Sequence, residues 1–504
     1  MQTRQVFHAM IDGVRVLCDR ADVLSELCGL PLDEIALGLR LARGLPYPAD
    51  RLPMWQGVSA VPGPQYVLVR RDGREAEQRT WWRRPEPRLT RADGAALLRD
   101  ALETAVRVRT ETEADIACDL SGGLDSTPLC YFAARGPKGV IARTFYTDDP
   151  GGREDLEWAR RALPAMPGVH THDVFSAQGL PGFYEGLYDL AIPMDEPTQA
   201  GAAIPRIRHM LADDVERGVT IHINGLGGDH LLRGVKAWNH TLMRARPFTA
   251  WSRSRAEDAP MGIGPLSTLR QLMDRRTYRQ WYLATVRDAA RGVEPPELPR
   301  INDWSVPLSL PDWLTADARA SMLDRLRRLG AEATPLGTGL ARHFDVFTVQ
   351  QAGRLARSMG LVGQSLGVSY DAPLLDDHVV EAVFQVRYEE RDSPIEWKPL
   401  MKAAMTGLLP DDYLRRTTKI GGAPQSVRGY AAHFDALTSL WEDSGLLGSG
   451  LIDRSRLLSS ARPSATAMPS PYVHALTNAA IFLQAWNSTT RRREIEQKEP
   501  SWRA

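Results

Sequence analysis

Between Asp115 and Asn224 the chain alternates strand-like and helix-like runs, and no other stretch constrains the fold as tightly. Residues 115–120 (DIACDL), 140–146, 168–174 and 219–224 (VTIHIN) are short apolar or β-branched runs bounded by turn residues, which predicts strands. Residues 126–135, 153–166 and 204–215 predict helices, with Leu156, Ala159 and Leu163 inward in the second. Alternating strands and helices predict an α/β domain with a mostly parallel sheet covered on both faces. A helix is expected just upstream, over 94–109, with Leu97, Leu98, Leu102 and Val106 on one face. Beyond residue 240 the chain reads as mainly helical.

Residues 1–88 differ. Short apolar stretches broken by Gly and Pro predict a small β-rich or mixed domain. The Pro-bearing, charged segment RRPEPRLTRADG puts a boundary within 83–93, so that a second domain covers 94–490 and a charged tail 491–504. The 62 Lys+Arg equal the 62 Asp+Glu, so the basic excess of a nucleic-acid or membrane-surface binder is missing. No apolar run approaches the ~18 residues of a membrane span, and the opening MQTRQVFHAMIDG has no signal-peptide pattern, so a cytoplasmic protein is expected. Cys18, Cys28, Cys118 and Cys130 lack CxxC spacing and are expected to be reduced packing residues.

The segment Leu120-Ser121-Gly122-Gly123-Leu124-Asp125-Ser126 falls where the first strand of the alternation gives way to a helix. Adjacent glycines permit a sharp turn close to a ligand, Ser121 and Ser126 supply hydroxyls, and the helix start offers N–H groups to an anion. A carboxylate, Asp125, is misplaced for phosphate unless Mg²⁺ intervenes. A tight turn without a ligand is the alternative. A second glycine-rich turn, Gly225-Leu226-Gly227-Gly228-Asp229, ends the fourth strand, on the same edge if the strands are parallel. Only six lysines stand against fifty-six arginines, yet Lys398, Lys402 and Lys419 fall within 22 residues. A compact ammonium suits a charge that migrates during reaction, which nominates Lys419 and Lys398, with Lys402 read as a solvated helix residue.

SGGLDS in this setting resembles the PP-loop of ATP pyrophosphatases, which implies an adenine nucleotide α-hydrolase-like sheet, ATP cleaved between the α and β phosphates, and a carboxylate activated as an adenylate. Met194-Asp195-Glu196-Pro197 after a helical stretch, the INGLGGD turn, Tyr370-Asp371-Ala372-Pro373-Leu374-Leu375-Asp376, Trp397-Lys398, Leu409-Pro410 and Lys419-Ile420-Gly421-Gly422 resemble landmarks of the asparagine synthetase family. With Trp55-Gln56-Gly57-Val58, the likeness runs from about residue 50 to about 425. It implies ATP at Leu120, Ser121, Gly122, Gly123, Asp125, Ser126, Gly225 and Gly227, and Mg²⁺ on Asp125 and Asp229. It also implies substrate contacts at Asp195 and Glu196 and a catalytic Lys419. Asp229, Asp195 and Glu196 could instead be turn or cap residues. The N-terminal part would be a degenerate Ntn-type glutaminase-like domain.

Two departures narrow the likeness. Gln2 stands where asparagine synthetases expose a nucleophilic cysteine, so release of ammonia from glutamine is not expected. Leu226 stands where the family has an acidic residue or a tyrosine, and leucine cannot take a proton. An α-amino group, with a pKa of about 7.7 to 8.0, needs little help to react near neutrality. The combination resembles lasso-peptide isopeptide-bond-forming cyclases. What this implies is adenylation of an Asp or Glu side chain of a leader-cleaved precursor peptide and closure of a macrolactam by its N-terminal amine. The partners implied are the precursor peptide, a leader peptidase and a leader-recognition element. A ligase of small molecules, as β-lactam synthetases are, and a catalytically silent binding homologue remain alternatives.

Overall fold

A computed structural model describes residues 2–69, 76–417, 423–464 and 468–498. The N-terminal part holds a three-stranded antiparallel sheet of β1 (Phe7–Ile11), β2 (Val14–Cys18) and β3 (Ser59–Ala60), and a hairpin of β4 (Gln65–Val69) and β5 (Ala76–Thr80). Two short helices, α1 (Ala21–Leu27) and α2 (Glu34–Leu39), lie between β2 and β3. Phe7, Leu24, Leu37, Leu39 and Trp55 pack in one core with Tyr278, Trp281, Trp313, Met322 and Phe482. Trp55 meets Phe482 and Trp486 of the helix Pro471–Lys498 at ring distances of 5.6 and 5.2 Å.

The expected parallel sheet is present, in the order β10-β9-β6-β7-β8. Its strands are β6 (Asp115–Asp119), β7 (Val140–Tyr146), β8 (Val169–Ser176), β9 (Val219–Ile223) and β10 (Ser369–Asp371). Ile116, Ala117 and Cys118 of β6 are all buried, as a central strand covered on both faces requires. Helix α3 (Arg91–Thr110) leads into β6, and α4 (Ser126–Ala133), α5 (Pro150–Ala162) and α6 (Ile204–Glu216) carry the crossovers to β7, β8 and β9. Leu98, Leu102 and Val106 of α3 are buried as the spacing predicts, and Thr90 caps its start by accepting from the Asp93 amide.

Two expectations are corrected. Helix α5 begins at Pro150 rather than 153, because Asp149 caps it by accepting from the Gly151 and Gly152 amides and Pro150 suits the first turn. The stretch before Met194 is not helical: residues 180–193 form neither helix nor strand. The mainly helical region past 240 contributes β10 to the sheet. Its three residues give too short a pattern to read; Arg109 of α3 holds it in place, pairing at 2.7 Å with Asp371 and also with Asp376.

Residues 81–89 are docked on the second part of the chain. The Trp82 indole donates to Glu381 at 2.9 Å, and the Arg88 and Leu89 amides donate to the Gln385 carbonyl. Arg84 pairs with Asp345 at 2.5 Å, and Asp345 also receives Arg391 at 2.7 Å and the Trp238 indole at 3.0 Å. The Arg84, Asp345 and Arg391 side chains are all nearly inaccessible to water. Among the described residues, no helix is long and apolar enough to cross a membrane. Asp345→Ala leaves two buried guanidiniums without their carboxylate and is expected to cost about 3 to 5 kcal/mol. Urea unfolding at neutral pH checks it; a loss under about 1 kcal/mol would show that the triad does not hold residues 81–89 to the core.

Candidate active site

The two glycine-rich turns leave the C-terminal ends of β6 and β9, which are parallel neighbours. Because the chain runs from β6 to β7 on one side and β9 lies on the other, the crevice between the turns is a topological switch point, where open α/β sheets bind ligands. The turns touch. A Cβ on Gly225 would stand 2.9 Å from the Ser126 nitrogen, and one on Gly228 2.0 Å from Asp125 Oδ1. Gly122 takes φ +70° with its Cα side against the Asp155 carbonyl, so no other residue fits there.

Within the first turn, the Ser121 and Ser126 hydroxyls lie 2.9 Å apart, and each also accepts a backbone N–H of the turn. Two residues absent from the sequence expectations hold the turn from behind: Arg416 donates to the Gly122 carbonyl at 2.7 Å, and the Tyr413 hydroxyl to the Gly123 carbonyl at 3.0 Å. Arg416 also pairs with Asp155. Their sequence signal is slight, since an arginine in a chain with fifty-six of them does not stand out.

Asp125 and Asp229 converge on one cation. The Lys398 ammonium lies 2.5 and 2.6 Å from the two Asp125 oxygens and 2.7 Å from Asp229 Oδ1, with Lys398 only 2% exposed. Lys398 sits at φ +46°, ψ 54°, a left-handed conformation that costs a non-glycine residue about 1 to 2 kcal/mol. Two carboxylates around one ammonium leave a net negative charge and hard oxygen donors. That donor set fits Mg²⁺, which typically takes one or two protein carboxylates and completes its shell with water and phosphate oxygens. Among the described residues no third His, Cys, Asp or Glu joins them.

Beside Lys398 opens a cavity of about 1000 Å³, lined among others by Arg40, Glu196, Arg233, Phe347, Trp397 and His474. One wall comes from residues 39–50 of the N-terminal part, another from the helix Leu340–Gln364. The structure separates the two acidic residues read as substrate contacts. Glu196 lines the cavity, paired with Arg40 at 2.9 Å and Arg354 at 3.0 Å. Burial alone would raise its pKa, but Arg354, Arg40 and Arg51 outweigh it and hold it below the usual range. Asp195 lies outside that lining and is held within the fold, accepting from the Ala21 amide at 2.6 Å and pairing with Arg357 at 2.6 Å. Lys419 lies outside the described residues; Thr417, two positions earlier, lines the cavity. Leu226 is half-buried between the two large apolar cores. All four cysteines are free thiols, and burial, then neighbouring Cys18, push Cys28 up.

Under the first turn runs a buried charged network that alternation in VTIHIN hides. His222 of β9 bonds Asp119 at 3.0 Å through Nε2 and Asp214 at 2.6 Å through Nδ1, and Arg143 of β7 pairs with Asp214 at 2.5 Å. Asp119 is the last residue of β6, so the network fixes the strand end from which the turn departs. Burial alone would lower the imidazole pKa; the hydrogen bonds and charges of Asp119 and Asp214 outweigh it and raise it to about 9.

The sequence profile of the asparagine synthase family matches residues 97–487. Proteins named as glutamine-hydrolysing asparagine synthetases in Mycobacterium bovis and Mycobacterium tuberculosis are 28% identical to this chain over 148 residues, 29% of this chain and 22% of theirs. The aligned stretch thus spans less than a quarter of those relatives.

Gly228→Ala is expected to push the Asp125 carboxylate off Lys398, because the added methyl overlaps it. Overpacking of this kind commonly costs about 1 to 3 kcal/mol, and an unchanged urea midpoint would show that the contact between the turns is dispensable. For His222, the folded pKa lies above the ordinary 6.5, so its stabilisation is complete below pH ~6.5 and is lost as pH rises through about 9. His222→Phe should flatten the stability–pH curve in that window, by about 3 kcal/mol at most. Denaturant midpoints from pH 6 to 10 for both proteins check this; parallel curves would rule the linkage out.

Proposed function

The chain belongs to the asparagine synthase family, and on that premise we propose that it is an ATP-dependent amide ligase closing a macrolactam in a leader-cleaved precursor peptide. The observation that carries the ligase reading is the convergence of Asp125 and Asp229 on Lys398 between two touching phosphate-type turns. A peptide substrate is compatible with the cavity beside it, whose about 1000 Å³ would be shared with the nucleotide.

In this reading the Ser121–Ser126 turn and the α4 N-terminus bind the triphosphate through N–H groups and hydroxyls. Asp125 and Asp229 would hold Mg²⁺, which when bound would offset the charge developing on the departing pyrophosphate. Lys398 keeps both carboxylates in register, and Lys419 follows the negative charge onto pyrophosphate and then onto the oxygen of the tetrahedral intermediate. The side-chain carboxylate of an Asp or Glu attacks the α-phosphorus, pyrophosphate leaves, and the peptide's N-terminal amine displaces AMP to form the isopeptide bond. An α-amine suits a site with Leu226, because much of it is unprotonated near pH 8. In this reading the nitrogen comes from the peptide's own α-amine rather than from glutamine. A leader peptidase and a leader-recognition element would supply the substrate.

The test incubates the protein with ATP, Mg²⁺ and a candidate core peptide, and follows pyrophosphate release and loss of one water from the peptide mass. Asp125→Asn and Asp229→Asn are each expected to lower both by at least about 100-fold with unchanged circular dichroism. Turnover on a free β-amino acid, with none on peptides, would replace the peptide reading by a small-molecule one. Pyrophosphate release that survives both substitutions would end the ligase reading.

A further inference from the structure

We propose that Arg233, stacked on Trp397, is a phosphate clamp that receives the pyrophosphate end of the nucleotide. The proposal rests on the ligase reading above and adds a residue to it. Arg233 directly follows α7 (Gly228–Leu232), four positions after Asp229, and its side chain lines the cavity. Its guanidinium carbon lies 4.7 Å from the centre of the Trp397 ring, and the Lys398 ammonium lies 5.4 Å from the same centre. One indole therefore positions both cations, and Lys398 is the one that touches Asp125 and Asp229.

Charge separates Arg233 from most cations of the cavity; the Arg43 side chain donates only to the Glu297 carbonyl, and Arg300, which also lines the cavity, makes no cation–ring contact with Trp397 among the described residues. Arg40 and Arg354 in the same cavity are paired with Glu196, Lys236 with Asp258 at 2.7 Å, and Arg416 behind the turn with Asp155. Among the described residues Arg233 has the Trp397 ring as partner and no carboxylate or carbonyl, although it is exposed to the cavity. An arginine whose flat face is covered by an aromatic ring keeps its in-plane N–H groups for a ligand, and that fork matches a phosphate's oxygens two at a time. The ligand's charge points the same way. Asp125, Asp229 and Lys398 sum to one negative charge, so a divalent cation there leaves one positive charge, well short of offsetting a triphosphate or the departing pyrophosphate. Lys419 adds one cation in the ligase reading, and a guanidinium on the same indole as Lys398 adds another.

The experiment titrates inorganic pyrophosphate with Mg²⁺, and separately AMP, into the full chain by calorimetry, for wild type, Arg233→Ala and Arg233→Lys. Arg233→Ala is expected to weaken pyrophosphate binding by about 10- to 100-fold, the effect of losing charged hydrogen bonds, with AMP affinity within about twofold of wild type. Arg233→Lys should recover little of it, since an ammonium neither stacks flat nor makes the fork. Pyrophosphate binding by Arg233→Ala as tight as wild type overturns the clamp, as does equal weakening of AMP and pyrophosphate. Failure of the wild-type protein to bind either ligand instead refutes the ligase reading on which the clamp rests.

Discussion

A buried ammonium shared by two carboxylates is the constraint on which the site depends. Lys398 is only 2% exposed and its ammonium is matched by two carboxylates, so loss of either leaves it with a single partner where water reaches poorly. The pairing is possible only because the turns after β6 and β9 touch, and they touch only because Gly225 and Gly228 have no side chain. It also explains why Lys398 tolerates a left-handed backbone: two short ion pairs outweigh a local cost of about 1 to 2 kcal/mol. The same three residues thus tie α4, α7 and the helix Pro399–Met405 to one point, at the mouth of the cavity.

The N-terminal part contributes to that cavity in a way its strands alone do not suggest. Residues 39–50 form a wall, and Arg40 donates to the Asp50 and Leu52 carbonyls while pairing with Glu196. Its apolar side chains share a core with helices more than two hundred residues downstream. This part of the chain therefore shapes the ligand space directly, and Asp195, which binds the start of α1, fixes the angle at which it docks.

Arginine does much of the cross-linking. Arg109 joins α3 to Asp371 and Asp376, Arg143 joins β7 to Asp173, Asp213 and Asp214, and Arg416 joins the first turn to α5. A planar group with five donors in a fixed fork can serve two or three elements at once. In a chain this rich in arginine, the lysine at 398 marks a position where a compact charge must fit between two carboxylates.

The sequence by itself determined the alternation from 115 to 224, the two turns, and Asp125, Asp229 and Lys398 as candidate functional residues, without the contact of Lys398 with both carboxylates. These were legible because strand, helix and turn signals are local, and because glycine, serine and aspartate in SGGLDS have few other uses together. The β10 strand, the Arg416 and Tyr413 props, the His222 network, Arg233 on Trp397 and the separate fates of Asp195 and Glu196 were decided only by tertiary structure. Each depends on contact between residues far apart in the chain, from 103 positions for His222 and Asp119 to 294 for Arg416 and Gly122. Periodicity reports which face of an element is apolar; it carries no information about which distant side chain a buried charge will find.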